Sequence, residues 1–101
     1  MVTINVLDHV KQCYSNNDGN IIQTEIRRAF AKNEKAIVSF TGVTSLNSSF
    51  VNSAFIELLN PYDFEYIRSN LKFKNSTRQI NDIIKRRFQF EADKKKELLS
   101  V

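Results

Sequence analysis

The chain has no tryptophan and, among its 101 residues, only one cysteine, one histidine, one proline and two glycines. Each scarcity removes a class of chemistry. The lone Cys13 excludes an internal disulfide and any multi-cysteine zinc site, and with His9 as the only histidine a metal centre has no support. Such cysteine usage implies a reducing, cytoplasmic home. Gly19 and Gly42 stand alone, so there is no glycine-rich loop to cradle a phosphate, and no cofactor is expected. No apolar run approaches the ~20 residues that span a bilayer, and the strand-like start at residues 2–6 carries no basic leader. The expectation is therefore a chain that is neither secreted nor membrane-embedded.

What is present is ordinary globular material, 42% hydrophobic and 26% charged, in a length suited to one domain, residues 1–101, with one modest core. The net charge of +4 is unevenly placed. Residues 68–101 carry ten Lys/Arg against four Asp/Glu, whereas residues 1–67 carry five against seven. A clustered positive face attracts polyanions through a salt-sensitive field, although lysines on a terminal helix also serve simply as a solvated face. Lys85, Arg86 and Arg87 are the candidate anion-binding group, and residues 89–101 are a candidate protruding basic end of the last helix.

Hydrophobic periodicity gives the order of elements. Ile4 and Val6 alternate with Thr3 and Asn5 as a first strand, and residues 10–14 either prolong it or start a second. Residues 15–20 read as a turn, with Gly19 a turn residue. Ile22, Ile26, Ala29 and Phe30 mark an amphipathic helix over 21–33. Residues 36–40 read as a central strand, followed by an elbow at 41–46. A well-buried helix then carries Phe50, Val51, Ala54, Phe55, Leu58 and Leu59 as far as Asn60-Pro61. Residues 61–70 offer room for a short helix and 71–75 alternate as a strand. Ser76 or Thr77 caps a last helix running on to Leu98. This is an α/β layer, expected as a mixed central sheet of about four strands with helices packed on it.

The chemistry-bearing candidates are few. A nucleophilic serine needs a base within hydrogen-bond reach, and only His9 is available. Asp63 and Glu65 lie two apart, but acids in a loop are commonly just solvated. Cys13 has no resolving partner and reads as a small half-buried side chain. Lysines and arginines near Phe73, Phe88 and Phe90 resemble a single-strand-binding face, yet strand alternation puts Phe73 inward and Lys72 and Lys74 outward. No enzymatic activity is expected.

The elbow is different, because small hydroxyl and amide side chains gather where a helix begins and backbone N–H groups lack intrahelical partners. The stretch from Val38 to Phe55, preceded by Asp18-Gly19 and a helix bearing Ile22 and Ile26, resembles small bacterial proteins described as STAS-like domains. In the related anti-sigma factor antagonists a strand leads through an Asp-Ser-Ser-Gly type motif into a helix, and a kinase-type anti-sigma factor phosphorylates a serine there. Laid over this chain, the aspartate position is Asn47, the phosphorylated serine Ser48, its neighbour Ser49 and the glycine Phe50; the two serines match and the flanking residues differ.

The resemblance implies a regulatory protein-interaction module with candidate phosphorylation sites at Ser48 and Ser49. Its partner-binding surface would be Asn47, Ser48, Ser49, Phe50 and Asn52, and its partner a regulatory protein such as a histidine-kinase-like ATPase. The physics permits the switch, since a phosphate on Ser48 adds roughly −1.5 to −2 charges at a helix N-terminus. The plainer alternative is that Asn47 or Ser48 only caps the helix. A nucleic-acid-associated or phage-defence accessory role for the basic C-terminal helix is the other expectation, and homo-oligomerisation is left open.

Overall fold

The computed structural model describes residues 1–99, with side chains through Lys94. Three short strands, β1 (Val2–Asn5), β2 (Ala36–Ser39) and β3 (Leu71–Lys74), pair in parallel in the order β1-β2-β3. Among the described residues this corrects the expected mixed sheet of about four strands. The missing strand is the stretch after β1. Val6–His9 wind into a helical turn, α1, and the backbone beyond it turns away from the sheet, so that the Cys13 carbonyl accepts the Asn47 N–H at 3.1 Å.

Helix α2 (Asn16–Ala31) begins earlier than its apolar stripe suggests, because Ser15 caps it by accepting the Asp18 N–H at 3.1 Å. The polar stretch read as a turn is thus its first turn. Asn33, at φ 58°, follows its end in the left-handed conformation that commonly closes helices. Helix α3 (Ser48–Ala54) is shorter than expected: Phe55 leaves helical geometry and the chain tightens into a 3-10 turn at Ile56–Leu59. Helix α4 (Phe64–Asn70) runs directly into β3, and α5 (Arg78–Leu99) follows, its first turn capped by Thr77 Oγ1 accepting the Ile80 N–H at 3.1 Å. The side chains of the expected basic end beyond Lys94, and residues 100–101, lie outside the described residues.

The core has one sheet face as its floor. Register aligns Val2, Ala36 and Leu71 in one row and Ile4, Val38 and Phe73 in the next, all on one face by the two-residue period. Ile22, Ile26, Ala29 and Phe30 of α2 and Phe50, Val51, Ala54 and Phe55 at α3 are buried within the same apolar cluster. Phe40, Phe55 and Phe73 interlock, Phe55 meeting Phe73 edge-on at 5.2 Å. Gly19 sits where α2 crosses α3. A Cβ there would lie 2.6 Å from the Phe50 carbonyl oxygen and 2.9 Å from the Ala54 nitrogen, so the glycine serves close helix–helix approach rather than a turn.

The other sheet face carries Thr3, Ile37 and Lys72 in one row and Asn5, Ser39 and Lys74 in the next. Thr3, Asn5, Lys72 and Lys74 are exposed. Parallel sheets usually have helices on both faces, and this one has a polar, largely uncovered side. Ser39 is buried there, its hydroxyl hydrogen-bonded with that of Thr41 at 2.9 Å and accepting from Asn75 Nδ2 at 3.1 Å.

Candidate functional site

The elbow between β2 and α3 starts with Gly42 at φ 82°, a conformation that favours glycine, with Leu7 packed against it. Val43 and Leu46 turn into the core while Thr44 and Ser45 face outward. Asn47 is the hinge of the arrangement. Its Oδ1 accepts the Phe50 N–H at 3.0 Å as the α3 cap, its Nδ2 donates to the Tyr14 carbonyl at 2.8 Å, and its own N–H donates to Cys13. The Tyr14 and Ser45 hydroxyls are hydrogen-bonded to each other. One asparagine therefore caps a helix and stitches the segment after α1 to the elbow.

With Asn47 doing the capping, Ser48 is left as the first helical residue, exposed, and Ser49 is half-buried. Neither hydroxyl has a hydrogen-bond partner among the described residues. No acidic residue occupies the first turn of α3. Asn52 faces the other way, accepting from Arg87 Nε at 2.9 Å and so tying α3 to α5. Phe50 requires a correction: placed on the partner surface by position, it is 0% exposed and lies edge-on to Phe55 at 6.1 Å, so no partner can touch its ring. An apolar side chain two residues into a helix that packs on α2 has nowhere to go but inward.

The surface beside Ser48 is broader than the sequence indicates. Leu7 (42% exposed) and Tyr14 (49% exposed) line, with Lys11, Gln12 and residues 42–45, a cleft of about 330 Å³. Reading residues 10–14 as strand concealed the place of Tyr14; the signal available was Lys11 and Gln12 followed by the capping residue Ser15, which fits a short exposed connection better than a strand. Cys13 closes the cleft from beneath. Burial pushes its thiol up to about 11, and the Asp18 carboxylate adds to the rise, so at neutral pH it is a protonated, unreactive group.

The other candidates fall apart spatially. His9 ends α1 exposed, with no serine hydrogen-bonded to it among the described residues. Asp63 caps α4 by accepting the Tyr66 N–H at 2.7 Å, while Glu65 faces Arg68 at 4.0 Å in solvent, so the two carboxylates serve different local roles. Lys85, Arg86 and Arg87 do not form one patch, because successive residues are about 100° apart around a helix. Arg87 is turned toward α3, bonded to Asn52 and Glu91, with its guanidinium 5.5 Å from the centroid of the Phe90 ring. Lys85 and Arg86 are exposed and line a groove with Arg68, which sequence reading did not join to them.

No helix among the described residues is long and apolar enough to cross a membrane, and no group of three or more His, Cys, Asp or Glu side chains there could hold a metal ion. Compared with known proteins, residues 18–81 match a family model described as a STAS-like domain of unknown function. No curated protein and no solved structure matches the chain.

Proposed function

Since the chain belongs to the STAS-like domain family, we propose that it is a non-enzymatic regulatory module that binds a partner protein through the elbow and the start of α3. Asn47, Ser48 and Ser49 form the recognition corner, with Leu7 and Tyr14 as apolar handles beside it. One observation carries the reading: Asn47 caps α3, which leaves the Ser48 hydroxyl exposed and unengaged at the helix start. Phosphorylation at Ser48 would introduce charge at the centre of the contact without disturbing the cap, so occupancy could change while the fold does not. Ser49, half-buried, is the secondary site. Fold analogy with anti-sigma factor antagonists makes a histidine-kinase-like ATPase in a bacterial cytoplasm the partner of choice.

Affinity capture from native lysate with the wild-type protein and Ser48→Asp, followed by mass spectrometry of Ser48 and Ser49, tests this. The expected result is a partner retained by the wild type, released by Ser48→Asp, and insensitive to added salt. Unmodified serines together with identical capture by both baits defeat the switch. Capture that collapses with salt and depends on Lys85 and Arg86 would instead favour nucleic-acid association.

A further inference from the structure

A second concavity shares no residue with the elbow. It lies where β3 ends the sheet: with no further strand beyond it, the layer between α4 and α5 is left unfilled. The groove measures about 540 Å³, within the ~300–1,000 Å³ typical of small-molecule sites. Its floor is apolar, formed by Phe64 and Ile67 of α4, Leu71 and Phe73 of β3, and Ile84 and Phe88 of α5. Phe64 and Phe88 bridge the two helical walls with ring centroids 6.1 Å apart.

The rim has one sign. Arg68 comes from α4 and Lys85 and Arg86 from α5, and among the described residues no carboxylate lines the groove. Glu65 approaches Arg68 only at 4.0 Å with both side chains largely exposed, a pair too weakly coupled to cancel the charge. Lys85 and Arg86 have no ion-pair partner among the described residues. Cations on both walls above an uncharged floor favour a ligand that is apolar at one end and anionic at the other.

Size decides among the occupants with that chemistry. The stretch of α5 lining the groove, from Asn81 to Gln89, is about 12 Å long at 1.5 Å per residue. That is the reach of a short alkyl chain, whereas a stable protein interface needs about 800 Å² from each partner. A second copy docking by the same groove would set cations against cations. Nucleic-acid bases stack on exposed aromatic faces, whereas Phe88 is buried, Phe64 and Phe73 are half-buried, and the exposed Phe90 lies outside the groove. We propose that the groove binds a small, freely dissolved amphiphilic anion, with its apolar body on the floor and its carboxylate, sulfate or phosphate head held by Arg68, Lys85 and Arg86. The site is independent of the elbow reading, and Ser48→Asp leaves it intact.

Titrating the isotope-labelled full chain with decanoate and with decyl sulfate, each below its micelle concentration, and following backbone amide resonances tests the proposal. Saturable shifts confined to the groove residues are expected for both anions. Decanol should bind at least about tenfold more weakly, and decyltrimethylammonium should give no saturable shift. Lys85→Glu/Arg86→Glu should weaken decanoate binding about tenfold or more, with Arg68→Gln on the opposite wall as the second variant should the double one fold poorly. Arg27→Gln/Arg28→Gln on α2 is the unaffected control. Shifts that never saturate, equal binding of decanol and decanoate, indifference to both rim variants, or a preference for anionic phospholipid vesicles over the monomer would each overturn it.

Discussion

The two halves of this domain are packed to opposite standards. Where α2 crosses α3, backbone approaches backbone so closely that a single methyl group at Gly19 has no room. Around β3, α4 and α5 the same core opens into a groove of about 540 Å³. The closed half positions the elbow and the open half exposes apolar surface under a cationic rim. Rigidity and vacancy are thus allotted to different sites in a chain of modest length, and each half predicts its own response to substitution.

The comparison is tested most severely by adding volume to each half. Gly19→Val should destabilise by about 3 kcal/mol in urea unfolding, near the upper end for overpacking, because the atoms it meets include α3 backbone. Ile84→Phe, at a buried position that borders the groove, has open space on one side and should cost about 1 kcal/mol, the low end for overpacking. Similar costs at the two positions would abolish the distinction.

The closed half also has a pH signature. The Cys13 thiol, raised from 9.0 to about 11, holds its proton more tightly in the folded protein than in the unfolded chain. Its contribution is fully present below pH 9.0 and is lost as pH rises through the window to about 11, at about 1.4 kcal/mol per pH unit. Denaturant midpoints across that window, compared between wild type and Cys13→Ala, isolate the effect from lysines and tyrosines; parallel curves would contradict it.

Smaller effects refine the picture at the elbow. Asn47→Ala removes both the α3 cap and the bond to Tyr14, and should cost about 1–2 kcal/mol. Asn47→Asp retains the cap and loses only the donor, so it should fall between the two. Ser48→Ala should leave stability within about 0.5 kcal/mol of wild type while still altering partner capture, since the hydroxyl has no structural bond to lose. A large stability change there would convert Ser48 from a recognition residue into a structural one.

The strands around Ile4, Val38 and Phe73 and the stripe of α2 were legible because burial on one face imprints a period on the sequence. The elbow leading into α3 was legible for a related reason, since a cap and a buried helical face leave adjacent signatures. Three things were not. Residues 10–14 have apolar positions compatible with a strand, and the tertiary bonds from Asn47 to Cys13 and Tyr14 instead hold them as a connection lying against the elbow. Gly19 carries no local mark that separates a turn glycine from a helix-crossing one. The groove brings Arg68 to Lys85 and Arg86 across many intervening residues, and a charge count along the chain cannot show which cations share a space.

The uncovered sheet face has a consequence for how copies of this protein meet at high concentration. Both outer strands, β1 and β3, are only four residues long, and β3 displays Lys72 and Lys74. A second molecule that paired its own β3 here would bring its lysines against these, over a run of hydrogen bonds too short to compensate. The β3 edge is thereby guarded against pairing with its own copy, although no second layer of helices shields the bare side of the sheet.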